Sequence, residues 1–125
     1  MDTRLWVLAM VFFIPAMLMF FGLLFQKKPP RRINRFFGYR TSMSTKNMTT
    51  WAFAQKYSGR LYFRFGLAML PCSAVPLLLV WGQAESVVMT VGLIVLILQT
   101  LAMFLPIART ERALKRAFDR NGNPR

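Results

Sequence analysis

Apolar and polar positions divide the chain into three long apolar runs that are separated by polar, basic segments. The runs cover residues 5–25, 61–81 and 87–108, and Arg64 is the only charged residue inside them. Each run is close to the ~20 residues that a helix needs to cross a hydrocarbon core about 30 Å thick. Because backbone groups in lipid must form hydrogen bonds within their own segment, these runs predict an all-α membrane protein with three transmembrane helices.

Composition agrees with this class, since 55% of the 125 residues are hydrophobic, against about 45–50% in an ordinary soluble domain. The first run is longer than the apolar part of a secretory signal and is followed directly by QKKPPRR, so we expect it to be retained as a membrane helix. We interpret residues 1–125 as one domain, with an ordered cytoplasmic loop at 26–60 and a cytoplasmic helical tail at 109–125.

Basic residues predict the orientation of the spans. The loop at 26–60 holds nine Lys or Arg residues and no acid, and the tail after Ala108 holds six more bases. Short basic segments stay on the cytoplasmic side, so we expect the amino terminus and the GQAES turn outside and the carboxyl terminus in the cytoplasm. The net charge of +13 is then explained by topology and by attraction to anionic lipid of the inner leaflet, without direct contact to nucleic acid.

The second helix is expected to begin between Ser44 and Asn47, where Ser44, Thr45 or Asn47 could cap it, and to run unbroken into the second apolar run. Residues at steps of three and four form one stripe along this helix: Trp51, Ala54, Gln55, Ser58, Tyr62 and Phe65. The tail has a basic amphipathic pattern, and it is expected to lie along anionic lipid or along the projecting part of the second helix.

Two polar residues are expected to meet inside the membrane. At ~1.5 Å per residue, Gln99 lies at a depth near Leu67, whose carbonyl loses its helical donor because Pro71 has no N–H. We predict that Gln99 bonds to a carbonyl freed by a proline of the second helix or to Ser73; a contact with a substrate is the alternative. Small residues such as Gly66 and Gly92 also permit close helix approach, which leaves a homo-oligomer open.

Polar side chains in the loop form the candidate site. They can donate or accept hydrogen bonds, and Arg40 could hold a carboxylate or phosphate with two bonds. Such groups either tie the loop down or hold an anion, and the residues alone leave both alternatives open. They are Asn34, Arg40, Thr41, Ser44, Asn47, Trp51 and Gln55.

The order and spacing of these residues, NRFFGYRT followed by SxxN and TWxxAQ, resemble the signature of the SdpI family of small bacterial membrane proteins. The resemblance implies a multi-pass protein of the bacterial inner membrane that confers immunity to a secreted toxic peptide, captures a cytoplasmic repressor during signalling, or does both. The signature positions, whose chemical role the resemblance does not imply, are Asn34, Gly38, Tyr39, Arg40, Thr41, Ser44, Asn47, Trp51, Ala54 and Gln55.

We therefore hypothesise an ordered cap on the helices, in which Tyr39 and Trp51 wall a shallow pocket. Arg40, Asn47 and Gln55 would present polar groups to a lipid headgroup, a peptide carboxylate or a partner protein. In the alternative, a purely structural cap, Arg40 would bond to carbonyls at helix ends.

Two other function classes remain as alternatives, a small transporter or transporter subunit and a protein that binds or modifies lipid headgroups. The chain has no His, and its four acids, Asp2, Glu85, Glu111 and Asp119, lie outside the apolar runs. Proton-coupled transport usually needs an acid within a span, and acid-base catalysis needs paired titratable groups. We therefore expect a binding protein that is not an enzyme and has no cofactor or metal.

Overall fold

The computed structural model describes residues 3–125, so Asp2 lies outside the described part of the chain. Within residues 3–125 four helices follow one another: α1 (Thr3–Lys27), α2 (Met48–Leu79), α3 (Glu85–Ala102) and α4 (Phe104–Ala117). Three segments of this described part are long and apolar enough to cross a membrane, namely α1, α2 and α3 taken together with α4. The prediction of an all-α membrane protein with three spans is confirmed.

The helix bounds differ from the apolar runs in two places. The 32 residues of α2 make it ~48 Å long, well beyond the ~30 Å hydrocarbon core, and it begins 13 residues before the second run. The third run is interrupted at Met103, between α3 and α4. Because Pro106 has no N–H, the carbonyl of Ala102 loses its helical donor close to this break.

Close packing of α1 on its neighbours depends on glycines. A Cβ on Gly22 would lie 2.6 Å from the backbone nitrogen of Phe63, and a Cβ on Gly66 would lie 2.7 Å from a backbone oxygen of α1. In α3, Gly92 is in direct contact with the side chain of Val7. Gly66 and Gly92 thus pack against α1 of the same chain. These small residues, which the sequence offered for contact between two copies, are occupied by contacts within one copy.

Two buried clusters lie at opposite ends of the helices. The first, formed by Val11, Leu77, Val88 and Val95, lies toward the turn at residues 80–84, which we call the turn end. The second is formed by Tyr39, Ala54, Leu114 and Phe118, at the end that carries the loop and the tail, which we call the basic end. At the turn end, Arg4 donates to the carbonyl of Trp81 at 2.9 Å, which links the first turn of α1 to the turn that follows α2.

The tail folds back on α2. Leu114 is fully buried, and the rings of Phe53 and Phe118 meet edge to face with centroids 5.5 Å apart. After α4 the chain turns at Gly122, whose φ of +85° favours glycine. Of the two placements expected for the tail, the structure has the one along α2.

Candidate functional site

The candidate site is the cap, which we define as residues 34–47 together with the first two turns of α2, residues 48–55. Its first turn is built by Asn34, whose Oδ1 accepts hydrogen bonds from the backbone N–H groups of Phe36 at 2.9 Å and Phe37 at 2.7 Å. Gly38 follows with φ of +105°, and a Cβ there would lie 2.9 Å from Oε1 of Gln55. Glycine therefore permits both the turn and the approach of the loop to α2.

Gln55 holds the backbone of Tyr39 with both ends of its amide. Its Oε1 accepts from the Tyr39 N–H at 2.8 Å, and its Nε2 donates to the Tyr39 carbonyl at 2.9 Å. The same carbonyl accepts from the hydroxyl of Ser44 at 3.2 Å. Gln55 and Ser44 have no exposed surface, so these bonds satisfy backbone groups that water cannot reach.

The remaining small polar residues of the cap bond to one another. Thr41 donates its N–H to Oγ of Ser44 at 2.7 Å, and Asn47 begins α2 with a capping box, in which its Oδ1 accepts from the N–H of Thr50 at 2.9 Å. The Asn47 Nδ2 donates to the carbonyl of Gly122 at 2.8 Å, which links the cap to the end of the tail. A start of α2 between Ser44 and Asn47 was predicted, and of the three possible caps Asn47 is the one that the structure uses.

Trp51 is also buried, and its Nε1 donates to the carbonyl of Pro30 at 2.9 Å. Its ring lines a groove of about 540 Å³ between the end of α1 and the start of α2. The bases of this groove, which we call the basic groove, are Lys27, Lys28 and Arg31. None of these three bases was among the candidate site residues selected from the sequence.

Arg40 lies at the surface and donates to the carbonyl of Arg35, in the loop itself. That carbonyl is not at a helix end, so the structural role expected for Arg40 as a helix-end cap is absent from this arrangement. Phe36 nearby has 95% of its surface exposed. The guanidinium and this ring thus belong to the outer surface of the cap.

Tyr39 connects the cap to the tail helix. The residue is only 5% exposed, and its phenol donates to Oε1 of Glu111 at 2.7 Å, with the carbonyl of Ile107 at 3.2 Å. Burial, followed by the hydrogen bond and negative charge of Glu111, raises the pKa of Tyr39 well above its usual value. The phenol is therefore a neutral donor across the physiological pH range.

Below Tyr39 lies an apolar cavity of about 310 Å³, which we call the cleft. It is bounded by α1 on one side and by the junction of α3 and α4 on the other, with Tyr62 of α2 and the Gly38–Tyr39 segment completing the wall. The lining residues are Met17, Leu18, Phe21, Phe25, Gly38, Tyr39, Tyr62, Thr100, Met103, Phe104 and Ile107. Tyr39 and Trp51 consequently line two different cavities, rather than one shared pocket.

Gln99 and Ser73, the two polar residues expected to meet inside the membrane, are hydrogen-bonded, and Gln99 also bonds to a backbone carbonyl. Gln99 Nε2 donates to Oγ of Ser73 at 2.6 Å, one of the two partners expected for it, and to the carbonyl of Val11 at 2.9 Å. This carbonyl lacks its helical donor because Pro15 has no N–H. The predicted bond to Ser73 is therefore confirmed, and the freed carbonyl that Gln99 meets lies on α1 rather than on α2.

Three features of the site have weak or no signals in the sequence. Glu111 lies on α4, and its contact with Tyr39 joins residues 72 positions apart. The cleft and the basic groove each combine segments whose packing cannot be inferred from local periodicity. Within residues 3–125, no group of three or more His, Cys, Asp or Glu residues is placed to hold a metal ion.

Comparison with known proteins places this arrangement in context. A model described as the SdpI/YfhL protein family matches residues 31–110, which include the whole cap, α2, α3 and the first half of α4. The match covers 80 of 125 residues. Neither a curated protein nor a solved structure matches the chain.

Proposed function

The chain belongs to the SdpI/YfhL protein family, and from this premise we propose that it is a membrane binding and signalling protein of the SdpI type. Its proposed roles are protection against a secreted toxic peptide and capture of a cytoplasmic repressor, singly or together. The observation that carries the proposal is the position of Tyr39, which lines the cleft and at the same time bonds to the tail helix.

The cleft is the proposed entry point for an apolar peptide segment. Its wall is almost entirely aromatic, aliphatic or methionine side chains, which suit a ligand that arrives through the membrane. At about 310 Å³ it has room for a few side chains rather than for a whole helix. A bound segment would press on Tyr39, because that residue and Gly38 close one end of the cavity.

Displacement of Tyr39 would be transmitted to α4. The phenol bonds to Glu111 and lies within reach of the Ile107 carbonyl, so its movement removes the polar contacts that Tyr39 makes with α4. The exposed side of the tail carries Arg109, Lys115 and Arg116. Since basic segments stay in the cytoplasm, we propose that this surface is where an acidic patch of a cytoplasmic partner docks.

Binding without catalysis fits the chemistry of the cap. Gln55, Ser44 and Asn47 bond to backbone groups of the chain itself, so their polar atoms hold the cap in place. The chain has no His to act as a general base near neutral pH. We propose that the signature residues act by positioning Tyr39 and by keeping the cap rigid.

The test uses a bacterial host from which the gene has been removed. Wild type, Tyr39→Phe and Glu111→Gln are restored at equal membrane levels, and survival is measured in spent media from related bacteria. Tyr57→Phe is the matched control, since it removes a phenol from α2 and keeps the ring that stacks on Phe53. Wild type and the control should protect the host, and the two cap variants should protect it less.

Repressor capture is measured in the same strains by recovering the protein from membranes and identifying co-purified DNA-binding proteins. Recovery that depends on Tyr39 and on spent medium supports the signalling role. If removal of the gene changes neither survival nor the membrane-bound fraction of any DNA-binding protein, the proposed function is wrong.

A second candidate function, binding of an anionic lipid headgroup, is favoured by the basic groove. Lys27, Lys28 and Arg31 lie together there beside Trp51, at the end of α1. Replacing these three bases by Gln should reduce the anionic phospholipid that co-purifies with the protein, as measured by native mass spectrometry. Removal of three bases from the tail segment 115–120 is the control, and an equal loss of lipid in both variants would argue against a groove-specific role.

A further inference from the structure

Three bases form a row on the outer surface of α2, near the basic end. Lys56, Arg60 and Arg64 follow one another at steps of four residues, so they lie on one side of the helix with a rise of about 6 Å from each to the next. All three side chains are exposed, and none has a hydrogen bond or an ion pair with another residue between positions 3 and 125. We call these three residues the basic ladder.

The contact between α1 and α2 fixes the depth of the basic ladder. A Cβ on Gly22 would lie 2.6 Å from the backbone nitrogen of Phe63, so the next residue, Arg64, is level with the turn of α1 that holds Gly22. That turn lies about 7.5 Å before Lys27, the last residue of α1. The backbone of Arg64 therefore lies below the level at which the bases begin, and the other two members of the ladder lie closer to the basic end.

The charges of the basic ladder are not compensated within the described chain. Like charges four residues apart repel one another along a helix, and Arg64 lies inside an apolar run, where an unpaired cation is costly. The acids of residues 3–125 are placed elsewhere: Glu85 begins α3 at the turn end, Glu111 accepts from Tyr39, and Asp119 accepts from backbone N–H groups of the tail. The counter-charge of the ladder therefore comes from another molecule.

Aromatic rings on the same side of α2 favour a lipid as that molecule. Phe53 and Tyr57 stack with centroids 5.7 Å apart, and Tyr57 lies three residues before Arg60 and seven before Arg64, on one stripe of the helix. Such rings are enriched where a membrane meets water. An acidic surface of a cytoplasmic protein would meet the outer end of the ladder only, whereas a lipid phosphate also reaches the arginine that is level with Gly22.

We propose that the basic ladder binds a phospholipid that carries two phosphates in one headgroup, from the leaflet at the basic end. The ladder extends over about 12 Å, which is more than one phosphate group spans, and two guanidinium groups suit paired bonds to phosphate oxygens. The acyl chains then lie along α2 beyond Arg64, where Leu67 is 51% exposed. The ladder shares no residue with the basic groove, so it is a separate lipid site.

The probes are cardiolipin, which has two phosphates, and phosphatidylglycerol, which has one. Each lipid is titrated into the full-length protein in a neutral detergent, at matched phosphate concentration, and the bound fraction is measured by native mass spectrometry. Wild type should bind cardiolipin about tenfold more tightly than phosphatidylglycerol, because the second phosphate meets one or two further bases.

Two variants and a matched control locate this preference. Arg60→Gln combined with Arg64→Gln should abolish it, and since neither side chain contacts the described chain, the melting temperature should not change. Arg64→Gln alone should lower the preference by about threefold, which keeps the test valid if the double variant does not fold. Arg112→Gln combined with Arg120→Gln removes two exposed bases of the tail and should keep the wild-type preference.

Lipid in the basic groove is excluded by repeating the titrations in a protein with Lys27, Lys28 and Arg31 replaced by Gln, which should keep the preference for cardiolipin. The proposal is overturned if wild type does not prefer cardiolipin, if the groove substitutions alone abolish the preference, or if the ladder variants and the tail control lose it equally. A ladder variant that binds cardiolipin like wild type but no longer retains a cytoplasmic protein would identify the ladder as a protein-docking surface, and that result also rejects the proposal.

Discussion

Replacing Gln55 by Leu tests whether the cap is held by a single buried amide. The substitution keeps the approximate volume of the side chain and removes both bonds to Tyr39, which are 2.8 and 2.9 Å long. The Tyr39 carbonyl would still accept from Ser44 at 3.2 Å, while its N–H would be left without a partner. The N–H and the carbonyl of Tyr39 should therefore contribute unequally to the loss of stability of the cap.

The size of the effect follows from this difference. An orphaned buried N–H costs about 1–3 kcal/mol, and the loss of a bond whose acceptor keeps another partner costs about 1 kcal/mol. Together they should lower the free energy of opening the cap by about 2–4 kcal/mol, which corresponds to a roughly 30- to 1,000-fold larger population of the open state. Because Tyr39 bonds to Glu111, the tail helix should loosen with the cap.

Amide hydrogen exchange in nanodiscs, followed by mass spectrometry, measures this opening. Peptides from the loop at 34–46 and from α4 should exchange faster in Gln55→Leu, while those from α3 should not change. Gln83→Leu is the matched control, because Gln83 is exposed in the turn and should alter stability by no more than about 0.5 kcal/mol. If exchange of the cap in Gln55→Leu equals that of the control, then Gln55 does not hold the Tyr39 backbone and our account of the cap is incorrect.

Three further predictions concern packing and titration. Gly22→Ala should destabilise the protein by about 1–3 kcal/mol in denaturant titrations, since its Cβ would lie 2.6 Å from a backbone atom of α2, whereas Gly82→Ala meets nothing within 4 Å and should be neutral. Burial and then a neighbouring carboxylate raise the pKa of Tyr39, so the stability from its protonated phenol is complete below about pH 10 and is lost as pH rises through the raised pKa. Tyr39→Phe should reduce the late component of phenolate absorbance by the amplitude of one tyrosine, and an unchanged late amplitude in that variant would refute the assignment. The hydrogen bond from the N–H of Asn123 is the main cause of the lowered pKa of Asp119. Asp119→Asn should therefore speed hydrogen exchange of the Asn123 amide at neutral pH. The difference from wild type should vanish as pH falls through the lowered pKa, below about 4.

The proposed coupling between the cleft and the tail has a structural basis in one residue. Tyr39 has its backbone bound to α2, its ring against the cleft and its phenol on α4. A change at any of these three contacts alters the other two, because the residue is buried and cannot move independently. In contrast, Arg40 beside it lies at the surface and has no contact of this kind in the described chain.

The sequence by itself determined the features that depend on local pattern. The length of each apolar run predicts a membrane helix because the hydrocarbon core has a nearly constant thickness. Capping chemistry places the start of α2 between Ser44 and Asn47, and Trp51, Gln55 and Ser58 lie on one helical stripe and are buried. The match of the signature to a family also needs only the order of residues along the chain.

Only the tertiary structure decided which distant groups meet. The sequence could place Gln99 at the depth of a carbonyl freed by proline, but the rotation of the helices about their axes decided that this carbonyl is on α1. The same holds for the partner of Tyr39, which lies 72 residues away because the tail folds back on α2. Periodicity specifies which face of a helix is apolar, whereas the pairing of faces depends on how closely all the helices can approach, and at Gly22 and Gly66 that approach brings backbones into contact.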